Sequence, residues 1–181
     1  SEFMKNKEEL KTNYLKGFDW HNYNESQIKE KSLFLNILNE LCELIEEKDR
    51  QGKGRKLTKL KNIIFAIVMK QFLGLSSRRV QSDLETFRKA GFISKSIPFN
   101  TLLDNLERDD LRTALRELIE ISALPFKEVE FNFAIDATGF NTYLYRTYFN
   151  MKHGEDRKWR LYRKCHAVCG VKSNIITSVE I

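Results

Sequence analysis

The sequence predicts an α+β fold in which a helical N-terminal half is followed by three β-strands. Apolar residues recur at helical spacing up to about residue 125. After Pro125 the pattern changes to short apolar runs and alternating segments, which are typical of strands. Hydrophobic residues make up 41% of the 181 residues and charged residues 31%, so a folded chain is favoured over a disordered one.

Apolar spacing predicts the first two helices. One runs from about residue 25 to about residue 48 with one wide apolar face. Residues 4–24 before it show no clear period and are interpreted as an N-terminal arm, and Ser-Glu-Phe at positions 1–3 as a cloning scar. The second helix, from about residue 58 to about residue 73, is apolar nearly all round, so it should be central and buried.

Three shorter helices are expected next. Gly74 can end the second helix in a left-handed conformation, and Ser76 or Ser77 can cap the third. A fourth helix should begin after Pro98, and a fifth should span residues 109–123. The side chains expected to face inward from these helices are Val80, Leu84, Phe87, Leu102, Leu103, Leu106, Leu111, Leu115, Leu118 and Ile119.

Three strands are predicted in the remainder of the chain. FNFAIDATGF, residues 131–140, is an unbroken run of apolar and small residues, which predicts a strand that ends at Asp136 and is covered on both faces. Residues 159–171 alternate, and a third strand begins at Asn174 after a turn at residues 172–174.

The cysteines and the apolar runs constrain the class of protein. Cys165 and Cys169 lie four residues apart in one strand, about 13 Å along its axis, which is too far for a disulfide. We therefore expect reduced thiols, as in a cytoplasmic protein. The longest apolar run, residues 63–68, is too short to cross a bilayer, and no secretory signal is visible, so no membrane partner is expected.

Basic residues fall in two clusters, and the formal net charge is +6. Residues 50–61 contain six basic residues and no acid, and residues 152–164 contain six basic residues with only Glu155 and Asp156 among them. The two clusters can be solvated loops or parts of a surface that follows nucleic acid.

Asp136 is the first candidate for chemistry. A carboxylate in an apolar strand is costly unless it is hydrogen-bonded, protonated or bound to a cation. The small residues Ala137, Thr138 and Gly139 after it leave space beside it. From spacing alone, an aspartate that caps the turn after the strand is the simpler interpretation.

A family resemblance changes that interpretation. FAIDATGFNTYLYRTYFNMKHG followed by WRLYRKCHAVCGVKSNIITSVEI resembles the catalytic domain of the DDE transposases of bacterial and archaeal insertion sequences. The resemblance is close over residues 131–181 and looser over the helical half. Ala137 departs from it, because the family commonly has serine there. The matching residues are Asp136, Thr138, Gly139, Lys164, His166 and the strand at residues 175–181.

The resemblance implies the opening strands of a ribonuclease H-like core that cuts and joins DNA with two Mg²⁺ or Mn²⁺ ions. Asp136 would be a catalytic residue that binds both metals. The second aspartate and the glutamate of such a site are not found. The acids after Asp136 are Glu155 and Asp156, in the basic segment rather than at a strand end, and Glu180, on the third strand, whereas the resemblance implies that the missing acids come after that strand. We therefore expect an incomplete core at residues 126–181, in a fragment that is inactive alone and holds no metal firmly.

The helical region, residues 25–125, is predicted to bind DNA through a helix-turn-helix around Gly74. The side chains that could face DNA are Arg78, Arg79, Gln81, Ser82 and Arg88. Plain helix packing explains the segment equally well. The helix at residues 100–108 is an alternative element for contacting bases. The expected partners are transposon-end DNA and further copies of the chain, at the nucleoid. The DNA-binding candidates are Arg55, Lys56, Arg78, Arg79, Lys152, Arg157, Lys158, Arg160, Arg163, Lys164 and His166.

Two alternatives stay open. Lys164 and His166 share one strand face, where they could contact DNA or form an exposed polar pair. The whole chain could also be a non-catalytic DNA-binding or oligomerisation module. Three strands without further cover would leave an apolar edge and face, which we expect the chain to hide by dimerising, by swapping strands or with its own helices.

Overall fold

The computed structural model describes residues 19–47, 57–141 and 162–181. The chain divides into two compact units, Ser1–Glu40 and Leu41–Ile181. The described residues form five α-helices, a short 3₁₀ turn and three strands, which confirms the mixed helix and sheet class. In chain order these are α1 (Trp20–Glu43), α2 (Leu60–Phe72), α3 (Gln81–Lys89), α4 (Phe99–Asp104), α5 (Asp109–Ala123), the 3₁₀ turn Leu124–Phe126, β1 (Phe133–Asn141), β2 (Tyr162–Gly170) and β3 (Ile176–Glu180).

Helix α1 contains nearly all the described residues of the first unit, and its last three residues belong to the second. It begins at Trp20, five residues before the predicted start, so the end of the predicted arm is helical. Asp19 caps this end, because its Oδ1 atom accepts a hydrogen bond of 3.0 Å from the Asn22 amide. The helix ends at Glu43 rather than near residue 48. Apolar spacing missed the first turn, which is polar apart from Trp20 and Tyr23.

Helix α2 forms the centre of the second unit, as its apolar sequence predicts. Its residues Ile63, Ile64, Phe65 and Met69 are fully buried. The Phe65 ring packs against two phenylalanine rings, with centroid distances of 5.7 Å to Phe87 and 5.6 Å to Phe92. Helices α4 and α5 also contact α2, so the helical core is built around this one element.

The N-terminus of α2 is capped by a carboxylate from earlier in the chain. The two Glu47 oxygens each accept a hydrogen bond of 3.0 Å, one from the Leu60 amide and one from the Lys61 amide. These amides are among the donors that a helix leaves unsatisfied at its N-terminus. The Lys61 ammonium also contacts Glu43 at 2.8 Å. Glu43 and Glu47 therefore connect the end of α1 and the residues just after it to the start of α2.

The connection between α2 and α3 contains the predicted turn at Gly74, but α3 begins later than predicted. Gly74 has a φ of +63°, the left-handed conformation expected after α2. Regular helix begins only at Gln81, because residues 77–80 form a separate turn in which the Val80 amide donates to the Ser76 carbonyl at 3.0 Å. The predicted inward side chains of α3, which are Val80, Leu84 and Phe87, are buried.

The next two helices differ in how well the sequence anticipated them. Helix α5 has the predicted bounds, and its Leu111 and Leu118 are buried. Helix α4 buries Leu102, whereas Leu103 and Leu106 are 45% and 44% exposed, so the prediction for these two was wrong. Because α4 has only six residues and ends at Asp104, it presents a single inward position.

The three strands form one antiparallel sheet in the order β1-β2-β3. Strand β1 does not end at Asp136, as the sequence suggested, but continues to Asn141. Each residue from Phe133 to Asn141 has a partner on β2, so the small residues after Asp136 remain in the strand. The turn at residues 172–174 is present as predicted, with Asn174 at a φ of +57°.

Strand β1 is exposed, contrary to the expectation that both its faces are covered. Every residue from 131 to 140 is exposed, and Ile135 is 75% exposed. Among the described residues, β1 pairs with β2 alone, and α5 contacts β3 at the other edge of the sheet. The described helices therefore leave the first strand uncovered. No helix in the described ranges is long and apolar enough to cross a membrane.

Candidate functional site

Asp136 lies in the middle of β1 with an exposed side chain. Its Oδ1 atom accepts a hydrogen bond of 2.7 Å from the Ala137 amide. Across the sheet it is paired with Ala167. Because residues directly opposite each other share a face and alternate residues point the same way, Asp136 has small side chains beside and across from it. The nearest positions on this face are Ala134, Thr138, Cys165, Ala167 and Cys169.

Lys164 and His166 lie on the opposite face of the sheet from Asp136. His166 is paired with Ala137, and Lys164 with Gly139, which are the positions that alternate with Asp136. The two basic residues therefore share a face, as predicted, but the sheet separates them from the carboxylate. Arg163 is the described member of the second basic cluster on the face of Asp136, where it is exposed opposite Phe140.

The face that carries His166 also carries an acid, Glu180. Glu180 of β3 is directly opposite His166, and its Oε1 atom accepts a hydrogen bond of 2.8 Å from Arg116 of α5. Both Arg116 and Glu180 are substantially exposed, so this ion pair contributes little stability. Sequence reasoning missed Arg116, because the two residues are 64 positions apart and only the packing of α5 on β3 brings them together.

The turn between β2 and β3 is held by Glu130, which sequence reasoning also missed. Glu130 is 5% exposed, and its Oε2 atom accepts hydrogen bonds from the Ser173 amide at 2.7 Å, the Ser173 hydroxyl at 2.8 Å and the Lys172 amide at 3.0 Å. The hydrogen bond from the Ser173 amide is the main cause that lowers the pKa of the Glu130 carboxyl below its usual value. Nothing in the local sequence marks this acid, because Lys172 and Ser173 are more than 40 residues away.

An apolar cavity of about 340 Å³ lies beside this turn, between the end of α5 and the sheet. Phe133 and Val168 contribute to it, and both belong to the face that carries Lys164 and His166. The cavity is therefore on the far side of the sheet from Asp136. Its other walls include Ala123, Leu124, Phe126 and Ile175.

In the helical region, some of the candidate DNA-binding side chains are bonded to other residues of the protein, and others are exposed. Gln81 donates to the Ile97 carbonyl at 3.0 Å, and Arg88 binds Glu85 at 2.7 Å. The hydrogen bond from Arg88 is the first cause that lowers the pKa of Glu85. Arg78 and Arg79 are exposed in the turn at residues 77–80, so they are the basic candidates here that remain available to a ligand.

Much of the two basic clusters lies outside the described residues. Six of the DNA-binding candidates lie outside the described residues, as do Glu155 and Asp156. From the first basic cluster, Lys59 is exposed at the start of α2, and Lys61 is paired with Glu43. The six candidates outside the described ranges are Arg55, Lys56, Lys152, Arg157, Lys158 and Arg160.

The donor set around Asp136 does not fit a two-metal site. In the described ranges, no group of three or more histidine, cysteine, aspartate or glutamate side chains could hold a metal ion. Magnesium and manganese require several oxygen ligands, and a pair of such ions requires further carboxylates besides the one that bridges them. Among the described strand residues, Asp136 is the one acid on its face of the sheet. It can therefore supply one ligand and does not form a catalytic centre with these neighbours.

The three cysteines are free thiols. Cys42 and Cys165 are buried, and burial raises the pKa of the Cys42 thiol to about 12, with a smaller contribution from Glu43. A thiol with so high a pKa carries almost no thiolate at neutral pH, so Cys42 acts as a small apolar core residue.

No protein-family model, curated protein or solved structure matches the chain. The resemblance to transposases therefore stays a prediction from the sequence.

Proposed function

We propose that the chain is the helical DNA-binding region and the opening strands of the ribonuclease H-like core of a DDE-type insertion-sequence transposase. The observation that carries this proposal is the position of Asp136. It is an exposed carboxylate flanked in β1 by Ile135 and Ala137, with small side chains around it on its face of the sheet. Such a position leaves one side of the carboxylate open to a cation and to the DNA that the cation would contact.

The sheet and the charge give further support. Three antiparallel strands in sequence order, with the acid on the first, are the arrangement that the resemblance implies for the start of this core. Arg163 on the same face and the net charge of +6 favour a polyanionic partner. The protein would bind transposon-end DNA at the nucleoid and would cut and join strands only where further carboxylates complete the site.

A second candidate function is a non-catalytic DNA-binding or oligomerisation module. The observation that favours it is the hydrogen bond from the Ala137 amide to Asp136, which satisfies part of the carboxylate without any metal. In that case Asp136 is a structural residue, and the exposed apolar face of β1 is an association surface.

Two measurements on the whole chain distinguish these candidates. Fluorescence anisotropy with duplex DNA should give a Kd of about 1 μM or tighter at about 0.1 M salt. A single carboxylate binds Mn²⁺ only weakly, but weak binding is enough to broaden amide NMR signals around residue 136. Asp136→Asn should abolish this broadening, whereas the matched control Asp104→Asn on α4 should not.

The opposite results are equally clear. A chain that binds no duplex DNA would overturn the transposase proposal. Broadening that is no stronger at Asp136 than at Asp104 would remove the metal role of Asp136 and favour the non-catalytic module.

A further inference from the structure

Arg78 and Arg79 form an exposed basic pair in the turn at residues 77–80. None of the ion pairs found among the described residues uses either of them. Three other arginines of the second unit, in contrast, are each neutralised by an acid. These are Arg88 with Glu85, Arg108 with Asp110 and Arg116 with Glu180.

Arg78 is also held in place. Its guanidinium carbon lies 5.3 Å from the centre of the Phe99 ring, at the start of α4. A cation–π contact occupies one side of the guanidinium and leaves other N–H groups free to donate hydrogen bonds. Because the ring restricts the Arg78 side chain, it loses less freedom when an anion binds than a mobile arginine would.

Helix α3, which follows this turn, is poorly suited to read bases. Gln81 is tied to the Ile97 carbonyl and Arg88 to Glu85, so two of its best hydrogen-bonding side chains are engaged. Asp83 in the first turn adds a negative charge that phosphate would repel. The exposed side chains left on α3 include Ser82, whose hydroxyl already donates to the Arg79 carbonyl at 3.3 Å.

We propose that the turn at residues 77–80 binds the phosphate backbone of duplex DNA through Arg78 and Arg79, and that α3 does not read base sequence. This inference rests on the proposed DNA-binding function and specifies its surface and ligand chemistry. The helical region then contributes affinity without sequence preference, and any preference of the protein for transposon ends originates in other residues.

The test measures binding of the full chain to two 30-bp duplexes of unrelated sequence by anisotropy, between about 0.05 and 0.3 M salt. Arg78→Ala and Arg79→Ala should each weaken binding about tenfold at about 0.1 M salt and reduce the slope of log K against log salt by about 0.9. The loss should be the same for both duplexes. Arg112→Ala, an exposed arginine on α5 with the same change in charge, is the matched control and should change binding less than twofold.

A double-mutant cycle tests the contact between Arg78 and Phe99. Phe99→Leu should weaken binding about threefold, and should have no further effect when Arg78 is already alanine. Circular dichroism melting confirms that each variant is folded before it is compared.

The outcomes separate this inference from the function on which it rests. If the unaltered chain binds neither duplex, both fall together. If the chain binds DNA and the Arg78→Ala/Arg79→Ala double variant keeps its affinity and salt slope, this inference alone is wrong. Ser82→Ala weakening binding to only one duplex would show that α3 reads bases and would also overturn it.

Discussion

Glu130 shows how one buried carboxylate can organise a sheet. It fixes the turn between β2 and β3 through Ser173 and Lys172, and the Val171 amide beside this turn bonds to Asn132 at 3.0 Å. A Cβ atom at Gly170 would lie 2.5 Å from the Glu130 Oε2 atom, so this position needs the space that glycine leaves. The register that sets the surroundings of Asp136 thus depends on a residue just before β1.

We expect Glu130→Gln to lower the melting temperature at neutral pH and to flatten its dependence on acid. The pKa of this carboxyl is lowered from 4.5 in the folded chain, chiefly by the Ser173 amide. Its contribution is therefore present above pH 4.5 and is lost as the pH falls through the lowered folded value. Melting curves from about pH 7 to about pH 3 measure this.

The matched control for this variant is Glu128→Gln, an exposed position two residues earlier. It should melt like the unaltered chain at each pH. A melting difference for Glu130→Gln that does not shrink on acidification would show that the charge of Glu130 does not stabilise the turn.

At the scale of elements, α2 illustrates the difference between an apolar helix and a buried one. Its sequence is apolar nearly all round, yet its exposure is uneven. Ile64 is fully buried, whereas Ile67 and Val68 are only partly buried. The contacts of α2 with α4, α5 and the Phe87 and Phe92 rings account for the deeper side of the helix.

We expect Ile64→Ala to reduce the free energy of unfolding by roughly 2–5 kcal/mol, because it leaves a cavity in a closed core. Ile67→Ala removes the same atoms from a partly exposed site and should cost less than half as much. Urea denaturation followed by circular dichroism gives both values. Equal losses for the two variants would mean that α2 is buried evenly, as its sequence alone suggests.

At the scale of the whole molecule, β1 is an apolar strand that the described residues leave exposed. Phe133, Ile135 and Phe140 are all at least half exposed, and β1 pairs on one side only within the described sheet. Exposed apolar edge strands promote association between chains. The expectation of a homodimer or higher oligomer from the sequence therefore stays a prediction, now assigned to β1.

We expect the chain to self-associate with rising concentration, and Ile135→Lys to weaken this association at least about tenfold without lowering the melting temperature. A lysine on an exposed strand opposes pairing and costs little in a site already open to water. Sedimentation velocity over a range of concentrations measures the effect. Ile28→Lys, at an 83% exposed isoleucine of α1, is the control, and an equal effect of both variants would exclude β1 as the specific surface.

The sequence by itself determined the features that depend on near neighbours. Apolar spacing located α2 to within about two residues of its ends and gave the bounds of α5, and it placed the three strands. The left-handed Gly74 and the turn at residues 172–174 were also predicted, because a turn depends on the few residues that form it.

Only the tertiary structure decided what depends on distant residues. Because β1 pairs with β2 as far as Asn141, the strand continues past Asp136. The register of this pairing places Asp136 and His166 on opposite faces, which no spacing within either strand could reveal. Burial, likewise, is set by what packs on an element rather than by its own composition. For that reason β1 was predicted to be covered and is exposed, and nothing in the sequence near Glu130 marks it as a buried acid.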